Sequence, residues 1–104
     1  MKVYLDDIRQ APEGWERTYN IEQTKNLLDT RQVTHLSLDN DLGSEDPKTE
    51  GYNILDYIEK LVYFDSTFPI PIITIHSSNE GRAPMMRMVA RKLEFIRQQQ
   101  LGGS

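Results

Sequence analysis

Two aspartate pairs stand directly after short apolar segments. Asp6-Asp7 follows Lys2-Val3-Tyr4-Leu5, and Asp39-Asn40-Asp41 follows His35-Leu36-Ser37-Leu38. Carboxylates are hard oxygen ligands suited to magnesium or calcium. A single Asp at a strand end is ordinarily a turn former. Two such pairs on one sheet edge are different, because like charges that converge need a cation or protons to offset them. Asp39 and Asp41, two residues apart, share a face of a continuing strand. Asp6 and Asp7 point to opposite sides, so one of them reaches the site directly.

A third polar cluster, His76-Ser77-Ser78-Asn79, follows the β-branched run Ile72-Ile73-Thr74-Ile75. A lone histidine is more often structural than catalytic. An imidazole beside carboxylates is expected to have a raised pKa and to serve as a general acid or base. Ser77 and Ser78 either orient a phosphate or cap the turn. Arg82 precedes a helix start, where anions are favoured, and adds a bidentate phosphate clamp. Arg9 either clamps an anion or neutralises Asp6 or Asp7. Cationic side chains flanking an acidic centre suit a phosphoryl group held on a metal. These residues leave Asp6, Asp7, Asp39 and Asp41 as candidates to hold a divalent cation, Asp39, Asp41 and His76 as candidates for the chemistry, and Arg9, Ser77 and Arg82 as candidates to meet phosphate. His35, early in its strand, is read as structural.

Strands and helices alternate around these residues. Residues 3–5 form a buried strand, residues 7–14 a loop, and residues 15–19 a second short strand. Asn20-Ile21-Glu22-Gln23 has the pattern of a capping box, with Asn20 as N-cap. Ile21, Thr24, Leu27 and Leu28 then mark a helix to Thr30, with Leu27 and Leu28 facing the core. Residues 33–38 read as a third strand, buried on both faces. A polar loop with Gly43 and Pro47 follows. Gly51 opens a helix carrying Ile54, Leu55, Ile58, Leu61 and Val62. Residues 72–75 have the strongest strand signal and are expected to be the most buried strand. Pro84 suits a first helical turn, and Met85, Met88, Val89, Lys92, Leu93 and Ile96 mark a last helix. Such alternation predicts an α/β fold with a parallel sheet and helices on both faces. Ligands bind such sheets at the carboxyl ends of the strands.

The chain has 104 residues and no cysteine, which excludes disulfides and thiolate metal sites. Residues 1–97 are expected to form one domain and residues 98–104 a flexible tail. No apolar run is long enough to span a bilayer, so no membrane partner is expected. The start passes straight into a strand, with no signal segment read, so the expected location is the cytoplasm. The net charge of −4 argues against non-specific nucleic-acid binding, which needs a basic face. It leaves room for a small anionic ligand.

The combination of motifs resembles a known family. Asp6-Asp7-Ile8-Arg9 with Pro12, Gly14 and Trp15, then Leu36 to Gly43, Gly51-Tyr52, and His76 to Asn79 with Gly81, Arg82 and Met85, is similar to the cyclic-phosphate processing receiver-like domains. These are small, divergent relatives of the response-regulator receiver. The resemblance implies a truncated, flavodoxin-like three-layer fold with about four strands in the order 2-1-3-4 and about three helices. It implies a loop in place of the first helix and no fifth strand with its lysine. By the same resemblance, Asp6 and Asp7 match the receiver's metal-holding acidic pair, Asp39 its phosphoacceptor, and Ser77 its hydroxyl residue. Where the family often has His, this chain has Asn40, so any acid–base role falls to His76.

Three functions compete at this stage. The favoured one is metal-dependent hydrolysis of a cyclic phosphate on a nucleotide or RNA end. The second is a non-enzymatic module that binds a nucleotide or a partner protein. The third is a switch phosphorylated on Asp39.

Overall fold

The computed structural model describes residues 1–39, 50–76, 81 and 83–102. Its elements are β1 (Lys2–Leu5), β2 (Glu16–Thr18), α1 (Ile21–Asp29), β3 (His35–Leu38), α2 (Tyr52–Phe64), β4 (Ile72–Ile75) and α3 (Ala83–Leu101). The four strands form one parallel sheet in the order β2-β1-β3-β4. This is the receiver-like α/β architecture expected of the sequence.

The start of α1 shows how local chemistry sets an element. The Asn20 side chain accepts from the Gln23 amide at 2.9 Å, and the Gln23 side chain accepts from the Tyr19 amide at 2.8 Å. Two amides otherwise left without intrahelical partners are thereby satisfied. Thr24, on the inner side of the same turn, shares a buried hydrogen bond with Thr18 of β2 at 2.7 Å.

The register divides the sheet into two unlike faces. Val3, Leu36 and Ile73 lie side by side, as do Leu5, Leu38 and Ile75. All six belong to or pack on the hydrophobic core, with Ile21 and Leu28 of α1, Ile54, Leu55 and Ile58 of α2, and Met86 and Leu93 of α3. The opposite face carries the rows Lys2-His35-Ile72 and Tyr4-Ser37-Thr74. None of these belongs to the core cluster. The helices therefore form one layer, tied laterally by contacts such as Lys92 Nζ to Glu59 Oε2 at 3.1 Å.

The expected third layer, with helices on both faces, is corrected by this arrangement. The passages from β2 to β3 and from β3 to β4 step the same way across the sheet. Right-handed crossovers in one direction place their helices on one side. Only the step from β1 to β2 runs the other way, and it is made by a loop. That loop turns at Pro12–Trp15, where the Trp15 amide donates to the Pro12 carbonyl at 3.1 Å and Gly14 adopts φ 87°.

Leu27 and Leu28 both face the core, Leu28 buried in it and Leu27 packed against it. Two further expectations shift. β4 is an edge strand, not the most buried one: Ile72 is 39% exposed. Its β-branched run reports strand propensity, which is the same for a central and an edge position. α3 continues through residues 98–101, expected as tail. Gln100 Nε2 donates to the carbonyls of Ser66 and Phe68 at 3.1 and 2.8 Å, which ties that end to the loop before β4.

Candidate functional site

The carboxyl ends of the three strands β1, β3 and β4 bring Asp6, Asp39 and His76 together. Each side chain offers one ligand atom, and these atoms all lie within 4.8 Å of one another. The alternation of strand side chains explains the convergence. Asp6 continues the face of Tyr4, Asp39 that of Ser37, and His76 that of Thr74, which is one row of the open face.

Asp6 is fixed by its own loop. Its Oδ1 accepts from the amides of Ile8 and Arg9, both at 2.8 Å. Its Oδ2 lies 3.2 Å from His76 Nε2. Only 1% of Asp6 is exposed. Burial alone would raise its pKa, but the two amides and His76 outweigh it and hold the carboxyl below its ordinary value.

His76 is clamped on three sides. Ser37 Oγ lies 2.6 Å from Nδ1, and the Tyr4 ring stacks on the imidazole at 4.2 Å between centroids, 5° from parallel. Arg9 Nη1 donates to the His76 carbonyl at 2.8 Å. Burial lowers its pKa and outweighs the opposing pull of Asp6 and Asp39. The raised pKa expected from neighbouring carboxylates is corrected here: desolvation wins, and the neutral imidazole is favoured. An ionised carboxylate can only accept, so Nε2 carries the hydrogen toward Asp6. Nδ1 then accepts from the Ser37 hydroxyl.

Asp7 lies outside the three-residue cluster. Its Oδ1 is buried and has no hydrogen-bond partner among the described residues. A buried carboxylate oxygen without a partner is one donor of the kind a hard divalent cation takes, and the Asp6–Asp39–His76 cluster supplies two further carboxylates and an imidazole. Asp41, Ser77 and Arg82, like Asn40 and Ser78, lie outside the described residues. Arg9 is exposed, with its guanidinium bridging the β1 loop to the end of β4.

Ser37 and Tyr4 had no functional role in the sequence reading. Parity offered a signal for Ser37: it is a hydroxyl residue between two leucines, two before Asp39 on the same face. Nothing comparable marked Tyr4, because its stacking depends on which strands are neighbours. Trp15 extends this aromatic surface, with edge-to-face contacts to Tyr4 and His35 at 6.3 and 6.2 Å.

A parallel sheet in the order 2-1-3-4 with carboxylates and a histidine at its carboxyl edge defines a receiver-like domain. The model of the cyclic-phosphate processing receiver domain matches residues 1–92, and the chain belongs to that family. No curated protein and no solved structure matches the chain.

Proposed function

We propose that this domain, acting through residues 1–97 as one unit, opens a cyclic phosphate on a nucleotide or an RNA end with the help of a divalent cation, magnesium or manganese. The observation that carries the reading is the convergence of Asp6, Asp39 and His76 in a family linked to cyclic-phosphate processing. These three residues, with Asp7 and Asp41 beside them in sequence, would hold the cation. Such an ion, when bound, supplies Lewis-acid stabilisation of charge on phosphoryl oxygens.

In the reaction, water adds to phosphorus, one of the two ester P–O bonds of the ring breaks, and the departing sugar oxygen takes up a proton. Asp6, held below its ordinary pKa, keeps negative charge at the carboxyl edge, and burial keeps bulk water from screening it. His76 reaches a cation or a substrate proton only if Nε2 gives up its hydrogen. The Ser37 hydroxyl permits this, since it donates to Nδ1 in one tautomer and accepts from Nδ1–H in the other. Arg9, Ser77 and Arg82 are assigned to the phosphate oxygens.

The engagement of both His76 nitrogens favours a second reading, in which the site binds a cyclic phosphate without turning it over. A thermal-shift screen of cyclic and linear nucleotides with and without magnesium or manganese, followed by product analysis, separates the two. Metal-dependent stabilisation with a linear monophosphate product supports hydrolysis. Stabilisation without product supports binding alone, and no response to any cyclic nucleotide, with or without metal, removes both.

A further inference from the structure

The outer edge of β4 has no strand beside it among the described residues. Ile72 and His76 donate their amides to the Thr34 and Leu38 carbonyls on the β3 side, at 2.9 Å each. The alternation of a parallel ladder therefore turns the amides and carbonyls of Ile73 and Ile75 outward. Natural proteins ordinarily blunt such edges with charges, prolines or bulges in the strand. β4, as Ile-Ile-Thr-Ile, carries none of these. Beside the edge runs a groove of about 450 Å³ between Ile72–Ile75 and α3.

The groove has a charge. Arg87 and Arg91 line it, both exposed, and neither has an ion-pair partner among the described residues. The single acid in the lining, Glu94, is held by Arg97 through two bonds of 2.7 Å. The lining is thus net positive on a chain of net charge −4. Arg87 and Arg91 are one helical turn apart, about 6 Å along the axis. Alternate side chains of an extended strand are separated by nearly the same distance, about 6.7 Å.

We propose that the outer edge of β4, with Arg87 and Arg91 beside it, takes up an extended acidic segment of a partner protein as a fifth strand. The outward groups of Ile73 and Ile75 supply the ladder, and two carboxylates at alternate positions of the segment meet the two arginines. A second copy of this chain is disfavoured as the occupant. Two-fold pairing of β4 edges would bring the arginine pairs of both copies to one interface, and like charges there repel.

The test uses the full chain and two synthetic nine-residue peptides, one alternating valine with glutamate and one alternating valine with lysine. The acidic peptide is expected to bind, to slow amide exchange at Ile73 and Ile75, and to lose at least tenfold in affinity in the Arg87→Glu/Arg91→Glu variant. That variant should gain affinity for the lysine peptide. Ile73→Pro removes one outward donor while leaving the β3 ladder; it also trims packing on the core and lowers the melting temperature, so its weaker binding is read at a temperature where the melting curve shows it folded. No binding of the acidic peptide at millimolar concentration would overturn the proposal. So would binding that leaves Ile73 and Ile75 unprotected, or displacement by a single-stranded oligonucleotide of equal charge. Concentration-dependent dimerisation that protects the same amides would assign the edge to a second copy instead.

Discussion

Replacing Ser37 with alanine separates the scaffold of the site from its chemistry. Ser37 is 5% exposed, and its hydroxyl lies 2.6 Å from His76 Nδ1. Ser37→Ala leaves that nitrogen without its donor at a position where the His76 side chain is only 14% exposed. An unsatisfied buried acceptor costs about 1–3 kcal/mol, and the residual exposure places the expected loss near the lower half of that range. For a domain of about 100 residues, 1 kcal/mol lowers Tm by roughly 4–8 °C, so a loss of about 1–2 kcal/mol means a fall of about 4–16 °C. Groups that orient a metal-ligating histidine are typically worth about 10–100-fold in metal affinity. Calorimetric titration with manganese should show a loss of that order, and Ser37→Thr, which keeps the hydroxyl, should restore most of it. A variant that melts lower but binds manganese as tightly as the parent would refute the argument. Ser37 would then be a packing residue only.

Three other outcomes follow from the structure. Gly14 adopts φ 87°, and a Cβ added there would meet nothing within 4 Å, so Gly14→Ala should cost about 1–2 kcal/mol from the backbone alone, read by urea unfolding. Asn20→Ala removes the cap of α1 and should cost about 1 kcal/mol in the same measurement, whereas Asn20→Ser should be nearly neutral. Asp65 is held down to about 2, first by the Thr67 hydroxyl and then by Arg31. A depressed carboxylate stabilises the fold above its unfolded value near 3.8 and loses that contribution as pH falls through about 2. Thermal melts should therefore show Asp65→Asn below the parent at pH 7, with the gap closing between pH 4 and pH 2; a gap constant across that range would contradict the assignment.

The strand ends and the capping residues were legible because they depend on neighbours in sequence. Asp6, Asp39 and His76 were identifiable as a group once the strands were taken as parallel, since all three follow directly on strand residues. The single helical layer was within reach of the order 2-1-3-4 that the resemblance implies, because two crossovers in one direction put their helices on one side; the general expectation for alternating strands and helices pointed the other way. The same order puts β4 at an edge, whereas its β-branched run suggested a buried strand, because Ile-Ile-Thr-Ile has the same propensity whether or not a fifth strand lies beside it. The state of His76 needed coordinates, because burial and two carboxylates pull its pKa in opposite directions and only packing decides between them. Ser37 lay within reach of parity alone, through its two-residue spacing from Asp39.

The function proposed for this domain is metal-assisted opening of a cyclic phosphate at the carboxyl edge of the sheet. Phosphorus NMR of a 2′,3′-cyclic nucleotide incubated with the protein tests it most directly, with magnesium or manganese and again with a chelator. A linear monophosphate resonance should grow only with metal and disappear in Asp39→Ala. An unchanged cyclic resonance, under conditions where the metal is bound and the fold is intact, would contradict it.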